Sequence, residues 1–69
     1  GKKDPPKTVR EEALERADLH AAAARTAARN GDLDRARAAA HEAVRYCGPG
    51  PLGDDVPEAV REVSELATP

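Results

Sequence analysis

The side chains of this chain that could do chemistry are few and far apart. The residue types that bind transition metals most strongly are limited to His20, His41 and Cys47. A zinc site needs about four ligands, commonly supplied by i, i+3 or i, i+4 pairs on a helix. No two of these three residues have that spacing. The sequence therefore predicts no metal site, and nothing in it implies a cofactor.

Arrangements typical of catalysis are also missing from the sequence. Cys47 falls near the predicted end of a helix, where the helix dipole disfavours a thiolate, so a small buried hydrophobic role is expected. The glycine-containing segment 48–53 lacks a following lysine and opens onto Asp54 and Asp55, which would repel a phosphate. A helical face of carboxylates is expected to be solvated: Glu11, Glu12, Glu15 and Asp18. The chain is predicted not to be an enzyme.

Composition restricts the size of the core and the compartment. The 69 residues include fifteen Ala, five Leu and five Val, with Tyr46 as the only aromatic side chain, so one domain with a thin core is expected. The single cysteine excludes an internal disulfide and favours a reducing, cytoplasmic environment. No apolar run approaches the roughly 20 residues that cross a bilayer. Because Gly1 stands where an initiator methionine would, we expect a domain excised from a larger intracellular protein.

Capping and stop signals divide the chain into three helices. Residues 1–7 are polar and broken by proline, so a disordered lead-in is expected. Thr8 and Glu11 have the spacing of a capping box that opens a first helix over about 8–29. Asn30 and Gly31 form a left-handed stop.

Two further helices follow. Asp32 is a suitable N-cap for a second helix over about 32–47. After the proline and glycine segment, Asp54 or Asp55 should cap a third helix over about 55–67. No segment alternates with period two, so the sequence predicts an all-α fold, a three-helix antiparallel bundle in one domain, 8–69.

Helical periodicity predicts which faces are buried. The end of the first helix around Val9, Ala13 and Leu14 extends past the second helix, so it needs cover from the third helix or from a second molecule. Leu19, Ala22 and Ala23 fall off the apolar stripe of the first helix and indicate a second contact surface. The stripe of the first helix contains Val9, Ala13, Leu14, Ala17, His20, Ala21, Ala24, Ala27 and Ala28. The stripe of the second helix contains Leu33, Ala36, Ala40, Ala43, Val44 and Cys47.

The turn and its flanking residues resemble the tetratricopeptide repeat (TPR), a helix–turn–helix unit of about 34 residues. In that register, Gly31 and Asp32 form the inter-helix turn, Ala36 and Ala43 take the two small positions of the second helix, and Pro49 lies one place beyond the closing proline. Small residues of the first helix match as well, namely Ala23, Ala24 and Ala27. The large aromatic positions differ, since His20, Ala27 and Ala40 occupy them. The resemblance implies a single degenerate repeat that binds another protein or a peptide.

Three functions remain open on this basis. The first is a non-catalytic protein–protein interaction or docking domain that binds a partner helix or peptide. Its expected contact residues are Leu19, Ala22, Ala23, Arg25, Arg29 and Arg37. The second is a homodimerising helical assembly domain, in which the spare faces pair with a second copy. The third, disfavoured by the net charge of −2 and by acids beside the arginines, is a nucleic-acid-binding helix–turn–helix with Arg35 and Arg37 near its start.

Overall fold

A computed structural model describes residues 6–67. Over that range the chain forms helix α1 (Val9–Arg29), helix α2 (Leu33–Val44), helix α3 (Glu58–Val63) and a 3-10 helix (Ser64–Ala67). α1 packs against both α2 and α3, and the 3-10 helix packs on α2. The predicted all-α three-helix bundle is confirmed. Disorder is expected for residues 1–7, and the first five of these lie outside the described range.

Both predicted helix starts at the hairpin are formed by side-chain caps. The Thr8 hydroxyl accepts a hydrogen bond from the Glu11 amide at 3.1 Å, and the Glu11 carboxylate accepts from the Thr8 amide at 2.9 Å. The Thr8 amide, and to a lesser extent the Thr8 hydroxyl, stabilises the Glu11 carboxylate and holds the pKa of Glu11 below its ordinary value. Asp32 caps α2 by accepting from the Arg35 amide. The turn between them passes through Gly31, whose φ of +82° suits glycine.

The core of the hairpin consists of alanine. Every buried residue of α1 and α2 is an alanine: Ala13, Ala17, Ala21, Ala24 and Ala27 on α1, and Ala36, Ala40 and Ala43 on α2. The larger buried side chains come from elsewhere in the described chain, namely Cys47, Leu52, Val60 and Val63. Two predicted stripe members are instead exposed, Val9 at 73% and Leu33 at 59%. Both lie at the first position of their helix.

α2 is shorter than the predicted 32–47 because the following loop folds back against its end. The amides of Tyr46 and Cys47 donate to Ala43 and Val44, three residues earlier, which tightens the backbone and ends the α-helix. The Leu52 amide then donates to the Tyr46 carbonyl at 2.8 Å. This closure places the Leu52 side chain in the core at 3% exposure.

The third helix also begins later than predicted. Its N-cap position is held by Pro57, with no side-chain cap, so the expected capping by Asp54 or Asp55 is wrong. A proline disfavours a helical backbone at the residue before it. Val56 precedes Pro57, so the helix starts after this pair. Asp55 instead forms an ion pair with Arg10 at the start of α1. Asp55 and α3 thus lie beside α1, whereas the 3-10 helix packs on α2 and Val9 itself stays exposed.

The closed loop makes Gly50 intolerant of a side chain. A Cβ atom there would lie 2.4 Å from the Arg45 carbonyl oxygen and 2.8 Å from that of Tyr46. We expect Gly50→Ala to reduce the free energy of unfolding by about 1–3 kcal/mol, because backbone atoms must move to relieve the overlap. Denaturant unfolding followed by circular dichroism measures this. Asp54→Ala, at an exposed position of the same loop, is the matched control, and equal stability of the two variants would contradict the role given to Gly50.

Candidate functional site: the exposed face of α1

The exposed side of α1, next to the alanine core, carries a groove that reaches the start of α2. Leu19 is 69% exposed there, beside Ala22 and Ala23, which are also exposed. The groove has a volume of about 600 Å³. Its other lining residues are His20, Thr26, Ala27, Asn30, Asp32 and Arg35. Small side chains thus form an open apolar floor, with polar groups at the end nearest the turn.

A second depression continues along the same face toward the start of α1. It has a volume of about 420 Å³, and Leu19 belongs to both depressions. Its remaining lining is charged: Lys7, Glu12, Glu15 and Arg16. These charges are paired within the chain, Lys7 with Glu15 and Arg16 with Glu12. Leu19 is therefore the central apolar contact of a surface that extends along most of α1.

The predicted contact residues divide into two groups. Leu19, Ala22 and Ala23 line the groove together, but the three arginines do not. Arg25 is drawn to the other side, where its guanidinium lies 3.3 Å from a Glu62 carboxylate oxygen. Arg29 and Arg37 are exposed. The groove therefore does not include the arginines that the sequence placed at its rim.

Arg35 is the arginine that the groove actually includes, and it was not among the predicted contact residues. Its guanidinium lies 3.6 Å from an Asp32 carboxylate oxygen. Arg35 is sixteen residues from Leu19 along the chain. Leu19 and Arg35 approach each other only because the hairpin folds back. The periodicity of a single helix therefore cannot predict that Arg35 lines the same groove as Leu19.

The remaining chemistry-bearing residues do not converge on a site. Among the described residues, no three His, Cys, Asp or Glu side chains lie where they could hold a metal ion. His41 is exposed, and His20 is half-buried with its ring stacked on Tyr46, the centroids 6.3 Å apart. No helix within residues 6–67 has both the length and the apolar composition that crossing a bilayer requires.

No protein-family model, curated protein or solved structure gives a significant match to this chain.

Cys47 is buried, at 6% exposure, as the sequence predicts. Desolvation raises the pKa of its thiol, which keeps it protonated and unreactive at neutral pH.

We expect a disulfide reagent to modify Cys47 only when the fold opens. With a stability of about 3 kcal/mol, reasonable for so small a core, the reaction should be roughly 100-fold slower than in denaturant. Absorbance of the released thiol measures both rates, and equal rates would contradict burial of Cys47.

Proposed function

We propose that this chain is a non-catalytic protein-interaction domain of an intracellular protein, which binds a partner helix or peptide along the exposed face of α1. The observation that carries the proposal is Leu19, which is 69% exposed within a groove floored by alanines. Burying a leucine side chain releases about 1.5–3 kcal/mol. The other apolar residues that line the groove are alanines, so a ligand is the means by which this leucine becomes buried.

The shape of the groove favours a helical ligand. Alanines at Ala22, Ala23 and Ala27 leave room for another backbone to approach closely, which suits the apolar edge of an amphipathic helix with contacts at i, i+3, i+4 and i+7. Asp32 and Arg35 at one end can hydrogen-bond polar groups of the ligand and fix its direction. The intracellular location rests on the single, buried thiol.

We further propose that the hairpin is related to the tetratricopeptide repeat. Supporting this, α1 and α2 are joined through Gly31 and Asp32, and Ala36 and Ala43 are both buried at the hairpin contact. α1, with 21 residues, is long for one helix of a 34-residue unit. The proposed relationship therefore applies only to the hairpin of α1 and α2. Segment 55–67 is an additional element that packs on this hairpin.

A nucleic-acid function has less support. The groove contains one arginine, and its guanidinium is already paired with Asp32. A nucleic-acid surface needs clustered positive charge to neutralise phosphates. The apolar floor of the groove suits a protein ligand better.

The test uses a display library of helix-forming peptides with varied apolar positions, selected against the wild-type chain. Selected peptides should bind at least about tenfold more weakly to Leu19→Asp, because the substitution removes an apolar contact and places a charge in the groove. Leu33→Asp is the matched control, since Leu33 is similarly exposed at 59% but lies outside the groove. Peptides that bind Leu19→Asp as well as wild type, or amide shifts that map away from Ala22 and Ala23, would contradict the proposal.

A further inference from the structure

The exposed face of α1 carries a stripe with the spacing of a coiled-coil seam. Its members alternate three and four residues apart, which is the interval at which one edge of a helix meets a second helix. All of them are exposed. The stripe, which we term the α1 seam, consists of Glu12, Glu15, Leu19, Ala22, Thr26 and Arg29.

The charges of α1 are divided between its two ends. Residues 9–18 contain four acidic and two basic side chains, a net charge of −2, whereas residues 19–29 contain only Arg25 and Arg29, a net charge of +2. On the α1 seam itself, Glu12 and Glu15 lie at one end and Arg29 at the other, with Leu19 and Ala22 between them. A helix with this pattern is complementary to an identical helix of the opposite direction.

We infer that the partner of this face is a second copy of the same chain, with the two α1 helices antiparallel about a two-fold axis. This inference rests on the proposed interaction function and names its partner. When the two seams are aligned in reverse, Glu12 falls opposite Arg29 of the second copy, Glu15 opposite Thr26, and Leu19 opposite Ala22. All three pairs share one midpoint, between residues 20 and 21, so a single two-fold axis satisfies them together.

The existing ion pairs do not prevent this arrangement. Arg29 has no ion-pair partner within residues 6–67, so its guanidinium can pair with a carboxylate of the second copy. Glu12 and Glu15 are paired with Arg16 and Lys7, but both pairs are more than half exposed and are therefore worth little. Exchanging such a pair for one across an interface costs little. The apolar centre, where Leu19 meets the small Ala22, supplies the attraction that does not depend on charge.

The interface should be weak. α1 has 21 residues and a length of about 31 Å, so one edge of it offers roughly 300 Å² to a partner. Stable dimers bury about 1,200–2,000 Å² in total, which is roughly two to three times what the two copies of this contact provide. We therefore expect a dissociation constant of roughly 0.1–1 mM for the isolated chain, sufficient for assembly when the chain is held at high local concentration.

Self-association is tested with charge-reversed variants that distinguish this pairing from non-specific contact. Sedimentation and NMR shifts are followed from about 10 µM to 2 mM at an ionic strength of about 20 mM, where screening is weak. The mean mass should rise with concentration, with shifts confined to the α1 seam. Glu12→Arg and Arg29→Glu should each weaken association at least about fivefold, because each turns two attractive pairs of the dimer into repulsive ones.

An equimolar mixture of the two variants is the decisive sample. In the mixed dimer the arginine introduced at position 12 of one chain faces the glutamate introduced at position 29 of the other. The unchanged Arg29 of the first chain then faces the unchanged Glu12 of the second, so association should return to within about twofold of wild type. Circular dichroism checks that each variant is folded. If Glu12→Arg loses helicity, Glu12→Lys, which places the same charge opposite Arg29, replaces it with the same expected result.

Two results overturn the inference. One is a chain that stays monomeric throughout, and the other is a mixture that associates no better than its components. Either leaves the proposed function intact if selected helical peptides still depend on Leu19. Loss of both self-association and peptide binding would remove the proposed function as well. Leu33→Asp should associate like wild type, whereas Leu19→Asp should stay monomeric.

Discussion

Every buried residue of α1 and α2 is an alanine, and the rest of the structure follows from that constraint. Small side chains let two helix backbones approach closely and keep helix propensity high. They also bury little apolar area, which limits the stability that the hairpin can obtain alone. Larger side chains must therefore be brought to the hairpin from outside it.

The chain after α2 supplies those side chains. Leu52 is carried into the core by a loop that closes on the Tyr46 carbonyl, and Val60 and Val63 arrive on α3. The loop depends on Gly50, where a side chain would overlap the backbone of Arg45. Ion pairs of α1 with Asp55 and Glu62 lie along the same contact but are exposed, so they orient the segment more than they stabilise it.

The same constraint explains the surface on which the functional argument rests. α1 has 21 residues and buries its alanine face, while the side chains on its other side remain exposed. Leu19 lies at the middle of that face, with acidic side chains toward one end of α1 and basic side chains toward the other. An uncovered leucine between opposite charges has the layout of an association surface, and the two proposals differ only in which helix covers it.

Local rules predicted the parts of the fold that local interactions determine. Thr8, Glu11, Gly31 and Asp32 identified the helix starts and the turn, because caps and left-handed turns involve residues close in sequence. What the sequence did not predict depends on contacts between distant segments. Leu52 lies in a proline and glycine segment without periodicity, and Arg35 joins Leu19 only across the folded hairpin. Leu19, Ala22 and Ala23 were identified because an off-stripe position needs only the helix itself.

The hairpin depends on alanine at its buried positions, and substitutions at two neighbouring residues of α1 measure that dependence. Ala21 is fully buried, whereas Ala22 is exposed on the groove side of α1. Denaturant unfolding of dilute samples should show Ala21→Leu losing about 1–3 kcal/mol, because the added atoms force the helices apart. Ala22→Leu should stay within about 0.5 kcal/mol of wild type. If Ala21→Leu is as stable as wild type, the helices have room for a larger side chain at this position. In that case alanine does not limit how closely α1 packs.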